Sequence, residues 1–194
     1  MQKLSREDLY TLEAYADLRT EMRAQVMAHK KHRRVDLGEH ISLLFEDRLT
    51  MHYQIQEMLR VERIFAAAGI QEELDAYNPL IPDGSNWKAT MMIEYADVEQ
   101  RRRALAELID VENTVRVKIG EHEKVSPVCD EDLDRTSEEK TSSVHFLRFE
   151  LDAAMIADAK AGAAIAIGVD HPHYRYVIDS LPAQTAQALV ADLD

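Results

Sequence analysis

From Trp87 onward the sequence alternates twice between a short stretch with one apolar face and a capped helical stretch. No other feature of the chain restricts its fold as much. The first unit has a strand over residues 87–95, a helix opened by Asp97 with Gln100 three residues on, and a strand over 114–119. The second has a strand over 144–151, a helix opened by Asp152, and a strand over 163–169. The matching layout reads as a duplicated βαβ element, two βαβ-like units that build a sheet with helices packed on it. A turn over residues 120–124 and a polar loop over 129–141 lie between the units, and Pro182 opens a short amphipathic helix reaching residue 193.

The front half is helical by the same kind of reading. Ser5 and Asp8 form a capping-box pattern, and the stretch to about residue 32 is rich in Ala, Leu, Met, Glu and Arg, which predicts a long first helix. It ends in the basic run His29-Lys30-Lys31-His32-Arg33-Arg34. Val35, Leu37, Ile41, Leu43 and Phe45 then recur at period two, predicting one strand with a buried face and with His40, Ser42 and Glu46 on the other. A second helix is expected over residues 49–68, stopping at Gly69. The stretch 77–86 holds two prolines and an Asp-Gly turn signal, and reads as an ordered loop between a helical front (1–86) and a sheet-rich back (87–194). The expected class is α+β, a helical N-terminal part packed on a mixed or antiparallel sheet within one compact domain over 1–194. A chain of 194 residues is long enough to bury such a core.

Composition removes whole classes of function. Hydrophobic residues at 46% and charged residues at 30% are near globular averages and argue against disorder. With 23 Lys plus Arg against 36 Asp plus Glu, the formal charge is -13, which repels phosphate backbones and anionic lipid, so neither nucleic acid nor membrane is an expected partner. No stretch has the apolar core of a signal peptide or approaches the roughly 18 apolar residues of a span, so a cytoplasmic protein is expected. Cys129 is the lone cysteine, and its acidic neighbours Asp130, Glu131 and Asp132 disfavour a thiolate. No phosphate-cradling glycine loop, nucleophile elbow or CxxC pair occurs.

Three groups of residues are chemically out of place. On the second helix, Met51, Ile55, Met58, Leu59, Phe65 and Ala66 form an apolar stripe with Glu62 near its middle; a carboxylate there needs a cation, a proton or a metal. His145 shares a strand face with Leu147, Phe149 and Leu151, and His40 shares one with Ser42 and Glu46. If His40 and His145 met Glu62 or Glu46 across the core, they would form a two-histidine, carboxylate set suited to iron, manganese or zinc. Asp170, His171 and His173 are the one local cluster with ligand-like spacing. The basic run, through Lys30, Lys31, Arg33 and Arg34, offers either a complement to a helix C-terminus or a partner-docking patch.

Four stretches carry a resemblance. These are residues 38–46, 54–64, 77–82 and 140–149, including Gly38-Glu39-His40, Tyr77-Asn78-Pro79 and Ser143-Val144-His145. They resemble an uncharacterised bacterial family catalogued as domain of unknown function 3501, over nearly the whole chain. The resemblance brings no catalytic residues. It implies the company of rubrerythrin-like di-iron proteins and iron-sulfur oxidoreductases, and so a setting in redox metabolism or oxidative stress. Two functions follow as expectations. One is an accessory protein that docks such a partner through the basic run and the region of Asn78, with a homo-oligomer left open. The other is a small metal-dependent enzyme or metal carrier using the histidine and carboxylate residues above.

Overall fold

The apolar alternation over residues 35–45 belongs to two strands. In the computed structural model, which describes residues 2–137 and 139–194, β1 (Arg34–Leu37) and β2 (Ile41–Phe45) form an antiparallel hairpin with Val35 opposite Leu43 and Leu37 opposite Ile41. Gly38 turns the chain at φ +80°, and a Cβ there would come within 2.5 Å of the Tyr174 hydroxyl. Cross-strand partners share a face, so the odd-numbered residues of both arms point into the core and the pattern runs on through the reversal.

Six further strands follow: β3 (Asn86–Ile93), β4 (Val115–Ile119), β5 (Val128–Cys129), β6 (Val144–Glu150), β7 (Ile165–His171) and β8 (Tyr174–Ile178). They build a five-stranded sheet in the order β1-β2-β3-β6-β5 and a three-stranded sheet in the order β4-β7-β8, antiparallel throughout. The class is α+β, as expected. Both strand-helix-strand units are present, through α4 (Val98–Glu107) and α5 (Ala153–Lys160), each capped by the expected aspartate. Neither is a βαβ unit with both strands in one sheet: each starts in the larger sheet and ends in the smaller one, so its helix bridges two sheets. Leu43, Trp87, Met91 and Leu147 of the larger sheet share one buried cluster with Val117, Ile167 and Val169 of the smaller, closed by Leu189 of α6 (Ala183–Val190).

The helical front differs from expectation at its ends. The Ser5-Asp8 capping box opens a 3-10 turn, and α1 (Leu12–Lys30) begins after it with Thr11 as N-cap. The single helix expected over 49–68 is two, α2 (Arg48–Glu62) and α3 (Ala67–Tyr77), because Arg63 takes the left-handed conformation at φ 55° and terminates α2. Gly69 therefore sits inside α3. Met51, Ile55 and Leu59 pack against Leu74 and Ile81 in a second cluster, while Phe65, beyond the break, is exposed. Among the described residues no helix is long and apolar enough to cross a membrane.

Candidate functional site

Three side chains from separate elements, Glu112 and His145 buried and Asp130 half-buried, meet beside β6. Glu112 lies in the 3-10 turn (Val111–Thr114) that leads into β4, His145 lies on the inner face of β6, and Asp130 follows β5. Asp130 is left-handed at φ 49°, a conformation aspartate tolerates better than most residues. Its backbone donates to Phe146 O at 2.9 Å and its Oδ1 accepts from Phe146 N at 2.8 Å, which extends the β5–β6 pairing by one residue. The other oxygen, Oδ2, is thereby aimed at His145 Nδ1, 2.6 Å away.

The far side of the imidazole is crowded with oxygen. Nε2 lies 2.8 Å from Thr141 Oγ1, 3.1 Å from the Ser142 carbonyl and 3.8 Å from Glu112 Oε2. Glu112 Oε1 accepts from the Thr136 hydroxyl at 3.1 Å and from the Asn113 amide at 3.3 Å. Its Oε2 has no hydrogen-bond partner although Glu112 is only 4% exposed. His145 is fully buried, and one atom each from Glu112, Asp130 and His145 lie within 4.8 Å of one another. A buried carboxylate oxygen left bare is costly unless a cation or a proton reaches it. Nearby, Arg135 binds Asp132 and Asp130 and covers the Phe146 ring at 4.6 Å, so its charge is already shared. Burial first, and then the carboxylates of Glu112 and Asp130, push the Cys129 thiol up to about 12, so it stays protonated beside the cluster.

Two kinds of chemistry fit a carboxylate, an imidazole and a further oxygen in line. The order Asp130, His145, Thr141 resembles the relay of an acyl-transfer triad. Thr141 is 1% exposed, however, and its hydroxyl is also engaged by Thr136, so it is not presented as a nucleophile in this arrangement. A metal ion needs only the space between Nε2 and Oε2. Thr136, Thr141 and Ser142 also line a surface cleft with Arg135 and Lys140, so an ion could come in from solvent once these hydroxyls turn aside.

The other candidate residues do not join this site. Glu62 is exposed, because α2 ends there and its last turn overhangs the apolar stripe. Glu46 is buried, but on the opposite face of the sheet from His145. His145 pairs with Met91 on the inner face, whereas Glu46 accepts from Thr90 at 2.6 Å on the outer one. Burial pushes the Glu46 carboxyl up, and its Oε2 is also without a partner. His40 stacks on Tyr95 at 3.8 Å, with its Nδ1 against the Glu94 carbonyl, at the rim of the hairpin. The set of His40, His145 and Glu62 or Glu46 is therefore not formed.

The cluster at 170–173 does not assemble either. It lies at the β7–β8 reversal, where Asp170 faces outward and pairs with Arg175 at 3.0 Å. His171 turns inward, with Nε2 on the Ile109 carbonyl and Nδ1 accepting the backbone N–H of His173, which occupies both ring nitrogens.

The basic run is largely neutralised within the fold. Arg33, 1% exposed, binds Asp192 and lies 3.3 Å from Asp47, which His29 also reaches at 2.5 Å. Arg34 pairs with Asp36 and Glu94, leaving exposed Lys31 and half-buried Lys30 as what remains of a patch. Asn78 clamps the N-terminal segment, accepting from Leu4 N and donating to Leu4 O, both at 2.8 Å.

Of the expected ligands only His145 belongs to the site. Glu112 and Asp130 were not singled out, because 18 and 15 residues of sequence separate 112, 130 and 145, and no local spacing links them. The acidic stretch after Cys129 is the one visible sign, and it falls in what reads as a polar loop over 129–141.

A family model described as protein of unknown function (DUF3501) matches residues 3–193. A crystal structure of a protein from Burkholderia pseudomallei K96243, described as a novel protein of unknown function, is 52% identical, with 100% of both chains covered and a TM-score of 0.95. No curated protein matches the chain.

Proposed function

The chain belongs to the DUF3501 family of proteins of unknown function, so its relatives lend it no activity, and we propose from its own side chains that it binds one divalent transition metal through His145 and Glu112. The observation that carries this reading is the bare Oε2 of Glu112, buried and 3.8 Å from His145 Nε2. Two ligand atoms holding one tetrahedral ion at about 2.0–2.2 Å each stand roughly 3.3–3.6 Å apart, so a small inward movement of Glu112 would bring both onto an ion. Asp130 holds Nδ1 and directs Nε2 at the ion, as carboxylates commonly do for metal-binding histidines. A nitrogen and carboxylate donor set favours zinc, iron(II) or manganese(II) over calcium or magnesium. In the redox setting that the family resemblance implies, such a protein would serve as a metal-carrying accessory of an iron-sulfur or di-iron partner.

The test is titration of untagged, chelator-treated protein with zinc(II), manganese(II) and, without oxygen, iron(II). One ion per chain is expected for at least one metal. H145Q and E112Q should each abolish most of that affinity, and D130N should cost about 10–100-fold, with circular dichroism confirming the fold. No binding by the wild type, or equal binding by H145Q and E112Q, overturns the reading.

A further inference from the structure

A second feature lies on the other face of the five-stranded sheet and does not depend on the metal reading. Between α3 and β6 a cleft is lined by Ala76, Pro79, Leu80, Val128 and Phe146, and one amine, that of Lys88, reaches into it. In a chain with 36 acidic residues this amine has no carboxylate within ion-pair distance among the described residues. Its Nζ donates to the Pro79 carbonyl at 2.5 Å. Lys3 is placed beside it in the same manner, donating to the carbonyls of Asn78 and Ile81 at 2.8 and 2.6 Å. Directly across the strands Lys88 faces Arg148, whose guanidinium is held by Glu131 and Glu150. The turn at 78–81 thus gathers two ammonium groups on neutral oxygens, with a third cation opposite.

We propose that Lys88 is an amine nucleophile that forms an imine with a small, neutral, largely apolar aldehyde or ketone held in this cleft. An amine flanked by cations and facing an apolar wall gives up its proton more readily than a solvated lysine, which is how imine-forming lysines are activated elsewhere. Burial is the leading cause that lowers Lys88; Asp83 opposes it, and of the remaining charges Arg148 lowers the amine while Glu131 and Glu150 raise it, whereas burial together with the Lys88 charge lowers Lys3. The free amine nitrogen attacks the carbonyl carbon and the C–O π bond opens to a carbinolamine. The hydroxyl then takes a proton from solvent and leaves as water while the nitrogen lone pair closes the C=N bond, and the two protons that the nitrogen sheds, one at the carbinolamine and one at the iminium, return to solvent. Asp75, Glu131 and Asp132 at the rim repel an anionic substrate, and Arg148 is already taken up by its own carboxylates, so a neutral carbonyl compound is selected.

The experiment incubates the full chain with benzaldehyde and cyanoborohydride at neutral pH, which reduces any imine to a stable amine, and maps adducts by peptide mass spectrometry. The chain's α-amine is scored separately. Labelling is expected to concentrate at Lys88, to vanish from that peptide in K88R, and to slow several-fold in K3Q, where the neighbouring cation is gone. Thermal melts of the variants show whether the fold is kept. Adducts spread over Lys31, Lys160 and other exposed lysines with no preference for Lys88, or a Lys88 rate unchanged in K3Q, would overturn the proposal.

Discussion

A carboxylate oxygen without a partner destabilises the protein that buries it, and Glu112 presents one such atom to His145. If a metal is what Glu112 awaits, Glu112→Gln removes a buried charge that metal-free protein cannot satisfy. The variant should then raise metal-free stability by about 1–2 kcal/mol while losing the metal, as read from denaturant midpoints in chelator and from a parallel titration. A loss of about 3 kcal/mol or more would instead identify Glu112 as the structural counter-charge of His145. At this scale the sequence was legible where one residue was anomalous by itself. A histidine in the apolar alternation of residues 145–151 could be read directly, whereas Glu112 and Asp130 look like ordinary loop acids until the pairing of β5 with β6 and the turn before β4 bring them inward.

Elements were legible where a cap or an alternation marked them and failed where tertiary geometry chose between equivalent readings. Asp97 and Asp152 cap their helices as their spacing implies. The hairpin of β1 and β2 kept its alternation through the reversal, and the break at Arg63 carries no glycine or proline to announce it. Glu46 shows what the elements then impose on a residue, for it is enclosed by β2, Thr50 at the start of α2 and Thr90 of β3. Burial, the leading cause, raises its carboxyl above the ordinary 4.5, so the neutral form suits the fold. Its contribution is fully present below 4.5 and is lost as pH rises toward the raised value. Glu46→Gln should therefore match the wild type near pH 4 and exceed it progressively above about 4.5, measured as melting temperature across a pH series. A constant difference at all pH values would show that the carboxyl does not titrate differently in the fold.

At the scale of the whole molecule, Arg33 joins segments far apart in sequence: the turn between α1 and β1, the N-cap Asp47 of α2, and Asp192 past α6. Arg33→Met strands the buried carboxylate of Asp192, leaves Asp47 to His29 and its helix cap, and should cost about 3–5 kcal/mol, whereas Lys31→Glu on the exposed end of the same run should stay within about 0.5 kcal/mol. Chemical denaturation of both variants separates a keystone from a surface charge. If Arg33→Met proves neutral, the guanidinium is not what holds the C-terminal segment down. The crossing of each strand-helix-strand unit from one sheet to the other bears on how the chain can reach this state at all. Pairing β3 with β6, as at Thr90 and Phe146, closes a loop of about 56 residues, at an entropic cost of roughly 3–4 kcal/mol. Once that closure is made, β4 lies within the closed loop, joined to β3 through α4, and β7 follows β6 through α5, so they meet within a short reach instead of searching across a long chain. One large loss of chain entropy therefore serves both sheets.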